Sequence, residues 1–277
     1  MNLKAESPTL HDLRAKPHLS ASSVMDYIEC GLRYKLSRVD KKTPDHRSAS
    51  LVLGSAIHRT LKQYNIARRD GKTFTLEDLQ DRFDSNWKDI AQGFVMISYP
   101  KDAPDIMTFK EGVKLIETFY DHLPDEPYEV LEVEEPFQFY IHGIEAPVIG
   151  AMDLIEADES GTVIIADYKT SAKAYSKDQI NRNFQMTVYQ MAARANGYAD
   201  RELLLRFDCL IKTKTPKFEQ YYTTRSEDDL TRAEMVIRAV WDGINKNVFV
   251  PNPTSWKCKN CEFKSHCVKW HEKGTLL

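Results

Sequence analysis

No apolar run in this sequence approaches the roughly 20 residues that carry a helix across a bilayer, which excludes an α-helical membrane span. The opening Met1-Asn-Leu-Lys-Ala-Glu6 lacks the apolar core of a signal peptide, and the expected location is the cytoplasm. There is no Gly-rich phosphate loop, no internal repeat and no low-complexity segment, so nothing points to P-loop chemistry, a solenoid or a disordered linker. Basic residues are not in excess either. The 38 Lys and Arg against 41 Asp and Glu give a net charge of −3, which is not the bulk signature of a nucleic-acid binder. That balance decides little, because a divalent cation held by carboxylates reverses the sign locally. Cysteine is scarce. Cys30, Cys209, Cys258, Cys261 and Cys267 are all there is, and in a cytosolic chain they do not build a disulfide framework. What remains is a 277-residue chain, 42% hydrophobic and 29% charged, enough for one large or two small globular domains.

The rest of the chain is organised around Gly150 to Tyr189. Two apolar runs there are each interrupted by one carboxylate, Asp153 in Met152-Asp-Leu-Ile155 and Asp167 in Ile164-Ile-Ala-Asp-Tyr-Lys169. A strand sends residues i and i+2 to one face, so Asp167 and Lys169 project together. An acid able to hold a cation then stands beside a positive donor. The plain alternative is a solvated pair on an edge strand. Against it, Thr162-Val-Ile-Ile-Ala166 is the continuous β-branched run of a strand buried on both faces. Charges at the end of such a strand must be paired or functional.

Along the chain, residues up to about 17 read as a polar, mobile lead. Ser20-Ala-Ser-Ser23 caps a helix carrying Met25, Ile28 and Leu32. Leu53, Ile57, Leu61 and Tyr64 mark a helix over about 50–69, with Gly54 and His58 on its neighbouring face. Thr75 and Asp78 resemble a capping box before a helix facing inward through Leu76, Leu79, Phe83, Trp87 and Ile90. A second helix, about 105–122, carries Ile106, Phe109, Val113, Ile116 and Tyr120. Three strands follow as a meander over 128–169, turning at His142-Gly143 and at Asp158–Gly161, with Asp153 and Asp167 on neighbouring strands. A helix over 176–197 buries Ile180, Phe184, Val188, Met191 and Ala195 and carries Gln185 and Tyr189 on its flank. Strands over 202–212 and 218–224 flank a lysine-bearing hairpin (Lys212, Lys214, Lys217), and a helix begins at Ser226. Cys209 reads as a buried thiol.

Cys258-x-x-Cys261, with Cys267 after five intervening residues, offers three thiolates to one centre, which points to metal. Three thiolates with His266 or His271 suit zinc; four suit zinc or a 4Fe–4S cluster.

Asp153, thirteen intervening residues and then Asp167-Tyr168-Lys169, with Gln185-x-x-x-Tyr189 just beyond, resembles the core of the PD-(D/E)XK nuclease superfamily. The helix motif and the Gly54-x-x-x-His58 upstream are similar to its RecB-like branch, as in the AddB nuclease domain and the CRISPR-associated iron–sulfur exonucleases. The Ser-x-Ser…Cys30 opening is also similar, with Gly31 where that branch has proline. The likeness runs from about Ser20 to Cys267, but no motif covers the helical stretch near 70–125. It implies an α/β fold: a mixed central sheet flanked by helices, a helical insertion and an Fe–S cluster subdomain. The expected division is a mobile lead (1–17), an N-terminal part of the cluster subdomain (18–48), a first motif helix (49–70), the insertion (71–127), the nuclease core (128–248) and the C-terminal cluster subdomain (249–277). By the same likeness Cys30 is the fourth ligand, with Cys258, Cys261 and Cys267, to a 4Fe–4S cluster, Zn2+ being the alternative.

The implied activity is Mg2+- or Mn2+-dependent hydrolysis of DNA, on ends or single strands, by an exonuclease rather than an endonuclease. Hard cations need oxygen ligands, which Asp153 and Asp167 supply; by resemblance His58 and the Tyr168 carbonyl complete them. Lys169 then orients the attacking water or offsets transition-state charge, and Gln185 and Tyr189 position Lys169 or the substrate backbone. A helicase or recombination partner, and a link to DNA repair, are further implications of the family. Two alternatives stand beside this reading: an inactive DNA-binding module, and a zinc-stabilised interaction protein.

Overall fold

The structure is a computed structural model describing residues 8–94, 96–99 and 105–274. Part of the expected lead is helical, because Thr9 and Asp12 form a reciprocal capping box that starts α1 (Leu10–Arg14); residues 1–7 lie outside the described residues. α2 (Ala21–Glu29) starts on Ser20 as its hydroxyls predict, but on a different face. Val24 is buried while Met25 and Ile28 are exposed. The helix stops at Cys30, whose backbone is extended, and a separate turn, α3 (Gly31–Tyr34), carries the buried Leu32. Long-range packing crowds this break: a Cβ on Gly31 would lie 2.8 Å from the Val250 backbone nitrogen, so the C-terminal tail crosses the chain there.

β1 (Arg47–Ser48) leads into α4 (Ala49–Arg69), which buries Leu53, Ile57, Leu61 and Tyr64 as their spacing predicts. α5 (Leu76–Gln92) opens on the Thr75–Asp78 box and buries Leu79, Phe83 and Trp87. β2 (Ile97–Ser98) pairs in parallel with β1, a tie that no sequence pattern announces. α6 (Asp105–Asp121) packs through Leu115, Ile116 and Phe119 and leaves Ile106 exposed. Its face is rotated from the expected one because Gly112 sits against Phe83, where an added Cβ would come within 2.1 Å of the ring.

β3 (Glu129–Phe139), β4 (Val148–Ala157), β5 (Val163–Ser171), β6 (Leu203–Ile211) and β7 (Lys217–Thr223) form one sheet in sequence order. Within this sheet only the β5–β6 pair is parallel. Their crossover carries α7 (Lys177–Asn181) and α8 (Phe184–Ala193). α9 (Glu227–Asn245) and α10 (Lys264–Gly274) follow. This is the expected α/β arrangement with a mixed sheet. The single helix expected over 176–197 is broken, however. Asn183 adopts extended backbone and accepts from the Met186 amide, restarting the helix, and Ala195 ends up exposed.

The sheet separates two cores. Met152, Ile155, Val163 and Ile165 pack on the side of α8 and α9, while Leu154, Ala166 and Tyr168 pack with α4, α5 and α6. Within the second layer lies a buried ion network. Arg206 donates to Glu156 and Asp208, both at 2.8 Å, and Arg68 of α4 reaches the other oxygen of Glu156 at 3.0 Å. These fully paired charges hold α4 in register on the sheet, since loss of one partner would strand the others in a low-dielectric interior. No helix among the described residues is long and apolar enough to cross a membrane.

Candidate active site

Pairing between β4 and β5 ends at Leu154 with Ala166. The next residue on each strand past that pair is a carboxylate, Asp153 on β4 and Asp167 on β5. The two acids therefore stand where the strands separate, while β5 stays in the sheet through its pairing with β6 as far as Ser171. α4 lies beside this fork. His58 Nδ1 is 3.2 Å from Asp153 Oδ2, and the Tyr168 amide donates to the same oxygen at 3.1 Å. Gly54, one turn before His58, permits the approach, as a Cβ there would lie 3.3 Å from Thr170 Oγ1. The Tyr168 side chain is buried in the layer below, its hydroxyl accepting from Asn65 at 2.9 Å.

Asp167 is buried and faces α8. Lys169 Nζ lies 2.5 Å from its Oδ2 as an ion pair without hydrogen-bond alignment, so that oxygen has no hydrogen-bond donor. Gln185 joins the groups. Its Nε2 donates to Asp167 Oδ1 at 2.9 Å and to the Tyr189 hydroxyl at 2.7 Å, and its Oε1 accepts from Lys169 at 2.9 Å. The Tyr189 hydroxyl in turn lies 3.4 Å from Asp167 Oδ1. The structure thus brings His58, Asp153, Asp167, Lys169, Gln185 and Tyr189 to one place.

Their protonation follows from burial and mutual charge. Burial, with the Asp153 charge adding to it, pushes the Asp167 carboxyl up against the pull of Lys169. Burial alone would lower Lys169, but the Asp167 and Asp153 charges outweigh it and hold the ammonium above its ordinary value. Burial opposes the His58–Asp153 pair in the same way, yet their mutual hydrogen bond and charge raise the histidine and lower the acid. Tyr189 is pushed well up by burial and by both carboxylates, which keeps its hydroxyl neutral.

Glu134 was not legible in the sequence as part of this site. It lies on β3 between Val133 and Glu135, whose β4 partners are Leu154 and Met152, and so opposite Asp153. Burial and the Asp153 charge raise its carboxyl, and its φ of 54° is unusual for a residue other than glycine. Only the crowding of acids in Glu132-Val-Glu-Glu135 hinted at it.

Two carboxylates and backbone carbonyl oxygens are hard donors, suited to Mg2+ or Mn2+, with the imidazole a borderline nitrogen donor beside them. The buried Asp167 Oδ2 already faces positive charge, the Lys169 ammonium at 2.5 Å, as an oxygen suited to holding a cation does. As they stand, the charges are paired off internally. Among the described residues no three His, Cys, Asp or Glu side chains close into a finished metal-ligating group.

Cys30, Cys258, Cys261 and Cys267 line a second cavity of about 180 Å3 between α3 and the C-terminal tail. None is in a disulfide, and Cys209 is buried separately in β6. Leu32, Leu36 and Phe263 pack around them. Burial raises the Cys261 and Cys267 thiols, and Cys30 adds to both, so these sulfurs sense one another. Four cysteine sulfurs converge on this apolar cavity, and a cationic centre there would hold them as thiolates. Of the two histidines weighed as zinc ligands, His271 lines this cavity, whereas His266 Nε2 lies 3.0 Å from the Thr43 carbonyl oxygen.

With this geometry in hand, the sequence model of the PD-(D/E)XK nuclease superfamily matches residues 18–268. The chain is similar to the Gene 69 protein of Mycobacterium phage D29, at 24% identity over 272 residues, covering 91% of this chain and 96% of that protein. In fold it is similar to a proposed exonuclease from Eubacterium rectale, with a TM-score of 0.60, 16% identity and 94% of each chain covered.

Proposed function

The chain belongs to the PD-(D/E)XK nuclease superfamily, and from that membership we propose that it is a divalent-metal-dependent deoxyribonuclease, a RecB-like exonuclease acting on DNA ends or single strands. The observation that carries this reading is the fork itself: Asp153 and Asp167 side by side, with His58 on one flank and the Lys169–Gln185 pair on the other. The exonuclease assignment draws further support from the fold shared with the Eubacterium rectale protein.

A phosphodiester is anionic and repels hydroxide. A bound Mg2+ or Mn2+ would supply an activated water and offset charge on the attacking and leaving oxygens. Asp153, Asp167, His58 and the Tyr168 carbonyl would hold it. Lys169, kept protonated between two carboxylates, places a positive charge where the phosphoryl oxygens gain negative charge in the transition state. Gln185 fixes the Lys169 ammonium and the Asp167 carboxylate at once, so neither must reorient during the reaction. Tyr189, held neutral, serves as a hydrogen-bonding prop to Gln185 and Asp167. At the second centre, a 4Fe–4S cluster on Cys30, Cys258, Cys261 and Cys267 would use four thiolates and need no histidine.

The test is cleavage of end-labelled single- and double-stranded DNA in Mg2+ or Mn2+, comparing the parent with Asp167→Ala and Lys169→Ala. Both variants are expected to lose at least about 100- to 1000-fold in rate, and the ladder of products reports polarity. A parent protein with its cysteine centre intact that leaves every DNA substrate uncut would overturn the assignment.

A further inference from the structure

A cleft of about 1350 Å3 runs from His58, Glu134 and Lys169 to the wall of the cysteine-bearing tail. Seven Lys and Arg side chains line it against two glutamates, Glu134 and Glu262, although the whole chain is acidic by three charges. Four of these cations are committed: Arg33 to Asp26 and Glu262, Arg59 to Asp89 at 3.5 Å, Lys169 to Asp167 at 2.5 Å and Lys212 to Glu111 at 3.9 Å. Among the described residues Lys62, whose charge acts on Glu134, and Lys257 make no close ion pair. The cleft is therefore a positive furrow leading away from the acidic fork, as a polyanion running into the site requires.

Trp256 stands on the tail side of this furrow with 81% of its surface exposed. Trp87 is buried, and Trp270 is 40% exposed. The exposure of Trp256 does not come from a slack loop. Asn252 donates from its amide to the Cys30 sulfur at 3.4 Å and from its side chain to the Glu29 carbonyl at 3.0 Å. Ser255 bonds the Glu29 carboxylate, and the Lys257 amide donates to Ser255 Oγ at 3.1 Å. Both neighbours of Trp256 are thus tied down, and the indole is held out in water between them. The Lys257 ammonium lies 5.5 Å from its ring centroid. An apolar π face with a cation beside it matches one nucleotide unit, a base to stack and a phosphate to pair.

We propose that Trp256 is a stacking platform for an unpaired base of the nucleic-acid strand entering the cleft, with Lys257 on the adjoining phosphate. This rests on the nuclease reading and narrows its substrate to single strands or unpaired ends, because the bases of an intact duplex hide their faces in their own stack. It also gives the four-cysteine centre a part in substrate binding. Trp256 lies two residues before Cys258, and its loop is anchored on Glu29 and Cys30, so whatever holds the cysteines together holds the platform on the cleft.

The experiment measures binding of oligo(dT) and of a blunt duplex to the Asp167→Ala protein, with and without Trp256→Ala or Trp256→Phe. Intrinsic tryptophan fluorescence is recorded, and cleavage by the Asp167-containing forms is measured in parallel. Expected are quenching by oligo(dT) that Trp256→Ala removes, single-strand binding about 5- to 100-fold weaker in Trp256→Ala, substantial retention by Trp256→Phe, and little change for the duplex. An unaltered melting temperature and cysteine-centre content identify a folded variant. If Trp256→Ala binds oligo(dT) as tightly as its parent while the Asp167-containing protein still cleaves DNA, the platform is refuted and the nuclease assignment stands. If the Asp167-containing protein neither binds nor cleaves, both fall together.

Discussion

Gln185 is the residue on which the site's geometry turns. One neutral amide satisfies an acid, a base and a phenol at once, with its oxygen on Lys169 and its nitrogen on Asp167 and Tyr189. Without it, Lys169 would keep only the ion pair to Asp167, which lacks hydrogen-bond alignment. A buried ammonium and carboxylate with free rotamers lose the fixed placement that transition-state stabilisation needs. Gln185→Leu, which keeps volume but removes both polar atoms, is expected to lower kcat about 100-fold with a smaller change in KM. Single-turnover rates at saturating DNA check this, and an unchanged kcat would make the amide a bystander.

At the scale of elements, two contacts decide how the pieces meet. The end of the β4–β5 ladder at Leu154 and Ala166 places the acids. The crossing of α3 by the C-terminal tail is locked by Arg33, which donates to Asp26 at 2.5 Å and to Glu262 at 2.6 Å. Burial pushes the Glu262 carboxyl up, but the Arg33 hydrogen bond and charge prevail and hold it below its ordinary value of 4.5. A carboxyl depressed in the folded state contributes stability that is complete above its unfolded pKa and is lost as pH falls through the folded one. The melting temperature of the parent should therefore exceed that of Glu262→Gln by a constant margin above about pH 5, corresponding to about 1–2 kcal/mol. The margin should shrink as the pH is lowered past 4.5. Thermal unfolding across this pH range measures it, and a margin that grows on acidification would contradict the assignment.

For the whole molecule, the cysteine-lined cavity joins segments that the sequence separates by more than 220 residues. Besides Leu32, Leu36 and Phe263, those segments meet through Phe249, which packs on Tyr27 and Tyr34. Cys30→Ser is expected to abolish the centre, lower the melting temperature by several degrees and loosen α2, α3 and α10 together. Cys209→Ser, in β6, should keep the metal content and lose stability only through a buried hydroxyl, about 1–3 kcal/mol. Iron and zinc analysis with a visible spectrum distinguishes a 4Fe–4S cluster from zinc in the same samples. Loss of metal from Cys209→Ser but not from Cys30→Ser would invert the assignment.

Local chemistry was largely legible in the chain. The β-branched run before Asp167, the i,i+2 relation to Lys169 and the i,i+4 relation of Gln185 to Tyr189 are covalent periodicities, and they survive in any fold that keeps those strands and that helix. The Thr75 and Ser226 caps are local for the same reason. What the sequence alone could not decide is set by contacts between distant segments. Gly31 meets Val250 and α2 breaks at Cys30; Gly112 meets Phe83 and α6 turns on its axis. Glu134 joins the acids only because the β3–β4 register sets it opposite Asp153. The positive cleft beneath Trp256 exists only in three dimensions, because its cations come from α3, β1, α4, β5, the turn after β6 and the tail. Periodicity and capping act over a few residues and are written in the chain. Helix rotation, strand opposition and the charge of a cleft depend on which surfaces exclude water from one another, and only the tertiary structure decides that.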